Sequence, residues 1–277
     1  MAPAKTKPTF LAAVVQLTST ADTDANWKNA ASLVEQAATA GAQFVATPEN
    51  TNFLGSHEEK ARRAEPLDGP TCHDFSALAK QLEIYLLLGS FNERGPTPQR
   101  CYNTSVLFGP AGERLAVYRK IHLFDVDLSS QVRFVESASV VHGSEVQTVH
   151  TPLATLGFSI CYDLRFPELY RQLARSGAEI LMVPSAFTVP TGRAHWQILL
   201  QARAIENQCF VMAPAQVGTH DDEGLRETYG HSLVIDPWGD VIASIERDEP
   251  GFALAEIDLE RLRDLRRKMP VSEHRRL

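Results

Sequence analysis

The sequence predicts an α/β protein with a four-layer α-β-β-α sandwich, in which two stacked sheets lie between outer helices around a pseudo-twofold axis. Apolar strands alternate with helical segments along the chain, a pattern typical of sheets covered by helices. The order strand, helix, strand, helix, strand and hairpin also occurs twice. A length of 277 residues allows one large domain or two small ones. We expect one domain over residues 9–277, after a polar tail at residues 1–8.

Two pairs of similar segments indicate the duplication. Val34–Asn50 and Tyr170–Ala186 each read as a helix ending near a glycine, then an apolar strand closed by a proline. Tyr102–Lys120 and Tyr229–Arg247 each read as two strands around a Pro-x-Gly turn, which is a hairpin. Because both pairs occur in the same order, we interpret them as two halves of one scaffold.

The remaining elements follow from apolar runs and helical spacing. The last helix carries basic residues in its final turns, where they favour the negative end of the helix dipole. The predicted strands are Phe10–Val15, Ile84–Ser90 and Cys209–Gln216, and the predicted helices are Thr71–Leu82, Ala194–Asn207 and Asp258–Lys268.

Composition and charge argue against several classes of protein. The net charge is −7, and the sequence has no basic stripe, so nucleic acid is not an expected partner. No apolar stretch approaches the roughly 20 residues that span a bilayer, and the run Phe10–Val15 is too short for a signal peptide. We therefore expect a cytoplasmic protein. The four cysteines form no C-x-x-C motif and no glycine-rich phosphate loop is present, so neither a metal nor a cofactor is expected.

One cysteine lies in a context that suits chemistry. Cys161 follows an apolar run and precedes the polar cluster Tyr162, Asp163 and Arg165, at a predicted strand-to-helix turn. The backbone amides of Tyr162 and Asp163 are expected to be free to donate there, as in the nucleophile elbow of hydrolases. A cysteine nucleophile also needs a group that takes its proton and a donor for the oxyanion.

The residues leave two interpretations of the base open. A cysteine–histidine pair would draw on His122, His195 or His231, but none of these has a diagnostic context. Glu49 is the better candidate because it directly follows the apolar strand Phe44–Thr47, and sites in such sheets lie at the carboxyl ends of strands. Lys120 ends another predicted strand and could lie beside the same site.

Three separated motifs resemble the nitrilase superfamily of carbon–nitrogen hydrolases, over about residues 9–275. They are Pro48-Glu49-Asn50, the run from Tyr118 to Leu123 and the run from Cys161 to Glu168. The resemblance implies the α-β-β-α sandwich, no cofactor and a homodimer or higher homo-oligomer. It also implies catalytic roles for Glu49 as general base, Lys120 as oxyanion stabiliser, Cys161 as nucleophile, Glu136 as a second glutamate that orients Lys120 or the substrate, and the Tyr162 amide as an oxyanion donor.

Further motifs resemble one amidase branch of that superfamily. They include Pro184-Ser185-Ala186-Phe187 and Asp236-Pro237-Trp238-Gly239, while Arg193 departs from the expected proline. This resemblance implies hydrolysis of a small-molecule amide, deaminated glutathione, to 2-oxoglutarate and cysteinylglycine. A 2-oxo acid needs a cationic anchor, for which Arg165 is a candidate; its alternative role is a structural ion pair with Glu168 or another carboxylate. Residues expected to line the substrate pocket are Phe187, Thr188 and Thr191.

Three alternatives remain at this level. An omega-amidase acting on 2-oxoglutaramate, or a carbamoylase, would use the same triad. A non-enzymatic interaction protein could retain the fold, although such proteins should lose a triad residue. Glu49, Lys120 and Cys161 are all present, which favours an enzyme.

Overall fold

The computed structural model describes residues 9–129, 132–221 and 226–276, so the expected tail at residues 1–8 lies outside the described residues. Helices and strands alternate through the first half, as the apolar pattern predicts. In chain order its elements are β1 (Thr9–Gln16), α1 (Thr23–Thr39), β2 (Phe44–Ala46), α2 (His57–Arg62), α3 (Pro70–Leu82), β3 (Tyr85–Arg94), β4 (Cys101–Phe108) and β5 (Arg114–Arg119).

A connection and the second half follow. The connection contains β6 (Asp125–Ser129), β7 (Val132–Val135), a 3₁₀ helix (Glu136–Ala138) and β8 (Thr148–His150). The second half contains β9 (Thr155–Phe158), a 3₁₀ helix (Cys161–Arg165), α4 (Pro167–Arg175), β10 (Ile180–Met182), α5 (Val189–Asn207), β11 (Phe210–Ala213), β12 (Val217–Thr219), β13 (Glu227–Tyr229), β14 (Leu233–Ile235), β15 (Val241–Ser244), β16 (Gly251–Asp258) and α6 (Leu259–Lys268).

Two six-stranded sheets form the middle layers, which confirms the predicted sandwich. Their orders are β16-β1-β2-β3-β4-β5 and β8-β9-β10-β11-β14-β15. The two orders correspond strand by strand, as expected of a duplicated scaffold. The edge strand β8 comes later in the chain than the hairpin of the first half, β4 and β5, but it pairs with β9 in the second sheet. In the same way, β16 comes after the hairpin of the second half, β14 and β15, but it pairs with β1 in the first sheet.

Alternation along the strands explains the layers. In β1, Ala12 and Val14 face the core shared by the two sheets, whereas Ala13 and Val15 face the core under α1 and α3. Because successive side chains of a strand point to opposite faces, a strand covered on both sides is apolar throughout. The shared core supports the prediction of one domain over residues 9–277, which stays a prediction.

The helix-to-strand turns of the two halves match closely. Gly41 and Gly177 both have positive φ, at 100° and 90°, where a glycine carries no steric cost. The following amides of Ala42 and Ala178 each bond back to a carbonyl in the preceding helix, those of Ala37 and Leu173. The repeat seen in the sequence is therefore also a repeat in geometry.

Several elements differ from the sequence-based expectation. Strand β11 ends at Ala213 rather than at Gln216, because Pro214 cannot donate to a strand ladder. α5 begins at Val189 and not at Ala194, with a proline in its first turn. The sequence analysis did not identify the helix α2 or the strands β6, β7, β8, β12, β13 and β16. No helix within the described ranges has the length and apolar character needed to cross a membrane.

Candidate active site

A pocket opens at the carboxyl ends of the central strands. Glu49 follows β2 and Cys161 follows β9, so one residue of each sheet reaches the same cavity. Lys120 and Glu136 also line it. The side chains expected to share a site, although far apart in sequence, are thus brought together.

Close approach of two strands fixes Glu49. A Cβ atom on Gly89 of β3 would lie 1.9 Å from the Thr47 carbonyl oxygen and 2.3 Å from that of Pro48. Only glycine therefore allows β3 to pass so close to the chain that leads from β2 to Glu49. The Glu49 carboxylate is 3% exposed, and its Oε1 accepts hydrogen bonds from Asn103 Nδ2 at 2.8 Å and Lys120 Nζ at 3.0 Å.

Lys120 lies between two buried carboxylates. Its Nζ donates to Glu49 Oε1 at 3.0 Å and to Glu136 Oε2 at 2.9 Å, and the lysine is 2% exposed. Burial alone would lower the pKa of Lys120, but the charges of Glu136 and Glu49 raise the pKa well above its usual value. The side chain is therefore a fixed ammonium.

Glu136 belongs to a short 3₁₀ helix rather than to a plain loop. Its Oε2 accepts the backbone amide of Phe124 at 2.7 Å, and Asn103 Nδ2 bridges its Oε1 to that of Glu49. Burial opposes ionisation of Glu136, but Lys120 and then Lys60 lower its pKa to about 2. Glu136 is thus an ionised carboxylate that holds the Lys120 ammonium together with Glu49.

Cys161 occupies a strained turn, as an elbow requires. Its φ of 48° lies in the left-handed region, which is uncommon for a residue other than glycine. Its amide donates to the Pro184 carbonyl at 3.0 Å, which ties the turn to the chain after β10. Of the two free amides expected here, that of Asp163 is not free, because it donates to the Ile160 carbonyl at 3.0 Å and so closes the turn. Tyr162 remains the candidate donor.

The Cys161 thiol is neutral in this environment. Burial, the negative charge of Glu49 and a hydrogen bond with that carboxylate raise the pKa of the thiol well above its usual value, while Lys120 opposes the change. Asn103 and Lys120 both bind Glu49 Oε1, which leaves Oε2 for the thiol. The site therefore favours a thiol beside a base over a preformed thiolate.

Asp163 is fully buried and joins the cysteine turn to the lysine strand. Its Oδ2 accepts from the Tyr118 hydroxyl at 2.7 Å and from the Ile160 amide at 2.9 Å. Its Oδ1 accepts the His122 amide at 3.0 Å and lies 2.7 Å from His122 Nδ1. His122 is occupied by this contact and by stacking on Phe166. None of the three candidate histidines lines the pocket, so a cysteine–histidine pair has no support.

The predicted substrate-binding residues also line the pocket. Phe187, Thr188 and Thr191 lie on its wall. The Arg165 guanidinium is 5.9 Å from the Tyr162 ring and 5.8 Å from the Phe187 ring, and it forms no ion pair with Glu168 in the part of the chain that the structure describes.

Three residues near the start of α5 lie outside the pocket lining. Trp196 is a packing residue: it is buried and its Nε1 donates to the His231 carbonyl at 2.8 Å. His195 is exposed, and its Nδ1 lies 3.3 Å from Arg165 Nη2. Arg193, which stands where proline was expected, is exposed and lines an adjoining cleft that shares Glu227 and Thr228 with the pocket.

Comparison with known proteins identifies the family. A model of the family described as carbon-nitrogen hydrolase matches residues 11–267. The chain belongs to the carbon-nitrogen hydrolase family. It is 44% identical over 273 residues to a deaminated glutathione amidase of Synechocystis, covering 96% of this chain and 98% of the relative. It is 46% identical over 271 residues to the deaminated glutathione amidase of Homo sapiens, covering 96% and 82%.

A solved structure agrees with the fold of this carbon-nitrogen hydrolase. The crystal structure of the C. elegans NitFhit protein has a TM-score of 0.91 and 40% identity, and the alignment covers 98% of this chain and 66% of that one. The protein is accordingly a hydrolase of carbon–nitrogen bonds other than peptide bonds, as the motifs predict.

Three residues at the site of the hydrolase were not predicted from the sequence. Asn103 bridges the two glutamates, and Lys60 and Arg226 add two cations to the wall. Lys60 lies in the short helix α2, whose charged sequence resembles a solvated helix face. Asn103 had no distinguishing context on a buried strand. No cluster of three metal-ligating side chains occurs among the residues that the structure describes.

The other three cysteines of the hydrolase resemble core residues. Cys72, Cys101 and Cys209 are free and at most 4% exposed, compared with 8% for Cys161. Burial raises the pKa of Cys209 to about 11 and that of Cys101 to about 11. Unlike Cys161, none of the three lines the pocket, so they fit the role of small packing residues.

Proposed function

We propose that this carbon-nitrogen hydrolase is a thiol amidohydrolase that cleaves deaminated glutathione to 2-oxoglutarate and cysteinylglycine. The observation that carries the proposal is the buried cluster in which Lys120 bonds to both Glu49 and Glu136 at the wall of the Cys161 pocket. The relatives described above, which are named for this activity, support the choice of substrate.

In the proposed first step, Cys161 Sγ attacks the scissile amide carbon while Glu49 takes the thiol proton. The need for Glu49 follows from the raised pKa of Cys161, which keeps the nucleophile protonated until it reacts. The negative charge then develops on the amide oxygen. We assign its stabilisation to the Lys120 ammonium and the Tyr162 amide, each of which is worth roughly 3–4 kcal/mol of barrier in comparable sites.

In the second step, the carbon–nitrogen bond breaks and Glu49 returns the proton to the departing amine. The acyl group remains on Cys161 as a thioester. A water molecule then takes the place of the amine, gives a proton to Glu49 and attacks the thioester carbon. The carbon–sulfur bond breaks, 2-oxoglutarate leaves, and Glu49 returns the proton to the Cys161 sulfur, which restores the thiol. In this scheme Glu136 orients Lys120 and keeps it charged throughout, supported by the two hydrogen bonds between them.

For the acyl portion, we propose that Arg165 anchors the 2-oxo acid, while Phe187, Thr188 and Thr191 shape the pocket. Arg165 is supported by its place on the wall and by the lack of a carboxylate partner among the described residues.

The test is a direct comparison of two substrates. Deaminated glutathione and 2-oxoglutaramate share the acyl group and differ in the leaving amine. We expect a higher kcat/KM for deaminated glutathione, measured as release of 2-oxoglutarate. No preference, or a preference for 2-oxoglutaramate, would contradict the substrate assignment while leaving the amidase chemistry intact.

We further propose a cytoplasmic homodimer. Free cysteines at all four positions support a reducing compartment. Exposed apolar side chains on and beside α5 support association: Ile198 is 69%, Ile205 50% and Trp238 59% exposed. Light scattering of the purified protein would measure the mass of the particle. A monomeric mass would contradict the proposed homodimer.

A further inference from the structure

A second pair of cations lines the pocket without a role in the proposed chemistry. Lys60, from α2, is 6% exposed, and Arg226 precedes β13. Both lie on the pocket wall. Arg226 Nη1 donates to the Gly55 carbonyl at 2.6 Å, which fixes its position.

Neither cation has a carboxylate within ion-pair distance in the described ranges. The ion pairs of this site instead use Lys120, which takes both Glu49 and Glu136. A buried ammonium without a partner is costly, because it has lost its water and gained no opposing charge. The pKa of Lys60 is lowered by burial and by the nearby charge of Arg226, against the opposing charges of Glu136 and Glu49. A carboxylate of a bound substrate would offset this cost by supplying the opposing charge.

The charge count points in the same direction. Among the residues that the structure describes, four cations line the pocket, namely Lys60, Lys120, Arg165 and Arg226, against the three carboxylates Glu49, Glu136 and Glu227, of which Glu227 is exposed. The excess positive charge suits a substrate with more than one negative group. Deaminated glutathione has two carboxylates, one on the oxo acid and one at the glycine end, with the scissile amide between them.

The position of Glu49, which protonates the leaving amine, indicates which cations bind each of the two substrate carboxylates. Glu49 must face the leaving nitrogen in order to protonate it. The chain that follows Glu49 leads through Gly55, whose carbonyl Arg226 contacts, to Lys60 in α2. Arg165 instead lies in the turn that begins at Cys161 and packs on Tyr162 and Phe187. The leaving amine therefore extends from Glu49 toward Lys60 and Arg226, and the acyl group extends toward Arg165.

We propose that Lys60 and Arg226 bind the carboxylate of the leaving amine, so that the enzyme selects amides whose departing amine ends in a carboxylate. This inference rests on the proposed function, since it assigns the distal half of that substrate. It makes Lys60 and Arg226 specificity-determining residues, not catalytic ones. Apolar contact for the chain between the two ends comes from Leu54 and Phe134 on the same wall.

The experiment compares deaminated glutathione with an analogue in which only the glycine carboxylate is replaced by a carboxamide. We expect the parent enzyme to prefer the acid by roughly tenfold to a hundredfold in kcat/KM, the range of one or two charge-assisted hydrogen bonds, mostly through KM. The Lys60→Met variant should lose most of this preference. Lys28→Met, which removes an exposed lysine of α1, is the matched control and should keep the parent ratio.

Each result decides between the two proposals. If the parent hydrolyses both compounds equally well, the inference is wrong whatever the variants do, and this holds even if Lys60→Met fails to fold. If Lys60→Met slows both substrates by the same factor, Lys60 acts on the catalytic charges and the inference is also wrong. If the parent hydrolyses neither compound, the proposed function itself has failed.

Discussion

The duplicated scaffold has two equivalent corners, and only one of them carries the candidate active site. By the alignment of the repeats, Glu49 corresponds to Ser185 and Lys120 to Arg247. Strand register adds the third pair. Ala12 lies beside Phe44 in the first sheet as Leu156 lies beside Ile180 in the second, so Cys161 corresponds to Leu17.

The second corner is closed where the first is open. The amide of Leu17 donates to the Ala215 carbonyl, and its own carbonyl accepts the Val217 amide at 2.8 Å. Leu17 is 2% exposed within the core under α1 and α3. Arg247 points outward, with its side chain 76% exposed and paired with Glu249 on the surface.

This difference separates what the fold provides from what single residues provide. The scaffold places three chain positions at each corner, at the ends of two central strands and a hairpin. An acid, an amine and a thiol occupy them at one corner; a hydroxyl, a solvated guanidinium and an alkyl group occupy them at the other. Substitutions at the first corner should therefore change the rate of hydrolysis. Substitutions at the second corner should change only the free energy of unfolding, or have no measurable effect.

The largest effect is expected for the nucleophile. Cys161→Ala should reduce hydrolysis by roughly 10⁴-fold or more, as for nucleophiles of other covalent hydrolases. Its counterpart Leu17→Ala should cost about 2–5 kcal/mol of stability as a core truncation, with kcat preserved in the folded protein. Product release and denaturant unfolding measure the two. Comparable hydrolysis by Cys161→Ala and the parent would remove the chemical distinction between the corners.

The next largest effects are expected for the base, Glu49, whose removal should slow acylation but speed alkylation of Cys161. Glu49→Gln should slow acylation by roughly 10²–10⁴-fold, because the thiol proton has no acceptor. The same change removes a negative charge that raises the pKa of Cys161, so that pKa should fall and more thiolate should exist at neutral pH. Alkylation of Cys161 by iodoacetamide, followed by mass spectrometry against pH, should therefore become faster.

Ser185→Ala is the matched control for the base. Within the described part of the chain, the Ser185 hydroxyl donates to the Val183 carbonyl at 3.0 Å and makes no other side-chain hydrogen bond, so its removal should leave both rates near those of the parent. An alkylation profile for Glu49→Gln that is unchanged, or shifted to higher pH, would mean that Glu49 does not control the thiol.

The next comparison is between the corresponding cations Lys120 and Arg247, whose removal should have unequal effects on hydrolysis and stability. Lys120→Met should slow hydrolysis by roughly 10²–10³-fold through loss of an oxyanion donor. It should also cost about 3–5 kcal/mol of stability, because Glu49 and Glu136 would be buried without a counter-charge. Arg247→Met should change stability by at most about 0.5 kcal/mol, since its ion pair is exposed. A stable Lys120→Met protein would argue against two ionised glutamates in the pocket.

The smallest effect is a pH dependence of stability. The pKa of Glu136 is lowered to about 2, below the roughly 4.3 of an unfolded glutamate, so its stabilisation is present above about pH 4.3 and is lost as the pH falls toward 2. The unfolding free energies of Glu136→Gln and the parent should converge over that interval. Glu249→Gln, in the exposed pair, should follow the parent at every pH. Parallel curves for Glu136→Gln would show that Glu136 is not ionised in the folded state.

Much of the fold was predictable because it depends on local signals that occur twice. Gly41, Gly177 and the closing prolines marked the turns, and the apolar runs marked the central strands. The edge strands β8 and β16 were missed because each pairs with the sheet of the other half, a nonlocal contact that no short pattern encodes. Helix α2 was missed because five of its six residues are charged or polar, as in a surface loop.

The site was predictable only where a motif surrounds the residue. Glu49, Lys120, Glu136 and Cys161 lie in such motifs, and the structure brings them to one pocket, although their roles stay proposals. Lys60 and Arg226 could not be found in this way, because the sequence does not show whether a lysine or arginine is buried or solvated. The Asp163 amide was wrongly expected to be free because the hydrogen bond that closes the turn exists only in the folded backbone.

The most direct test of the central claim is a mass spectrum of the enzyme quenched during turnover of deaminated glutathione. We expect a transient 2-oxoglutaryl adduct, mapped by peptide fragmentation to Cys161 and absent from the Leu17 peptide. Turnover that yields no adduct at Cys161 under conditions where deacylation is slowed, or an acyl group attached to a different side chain, would contradict it.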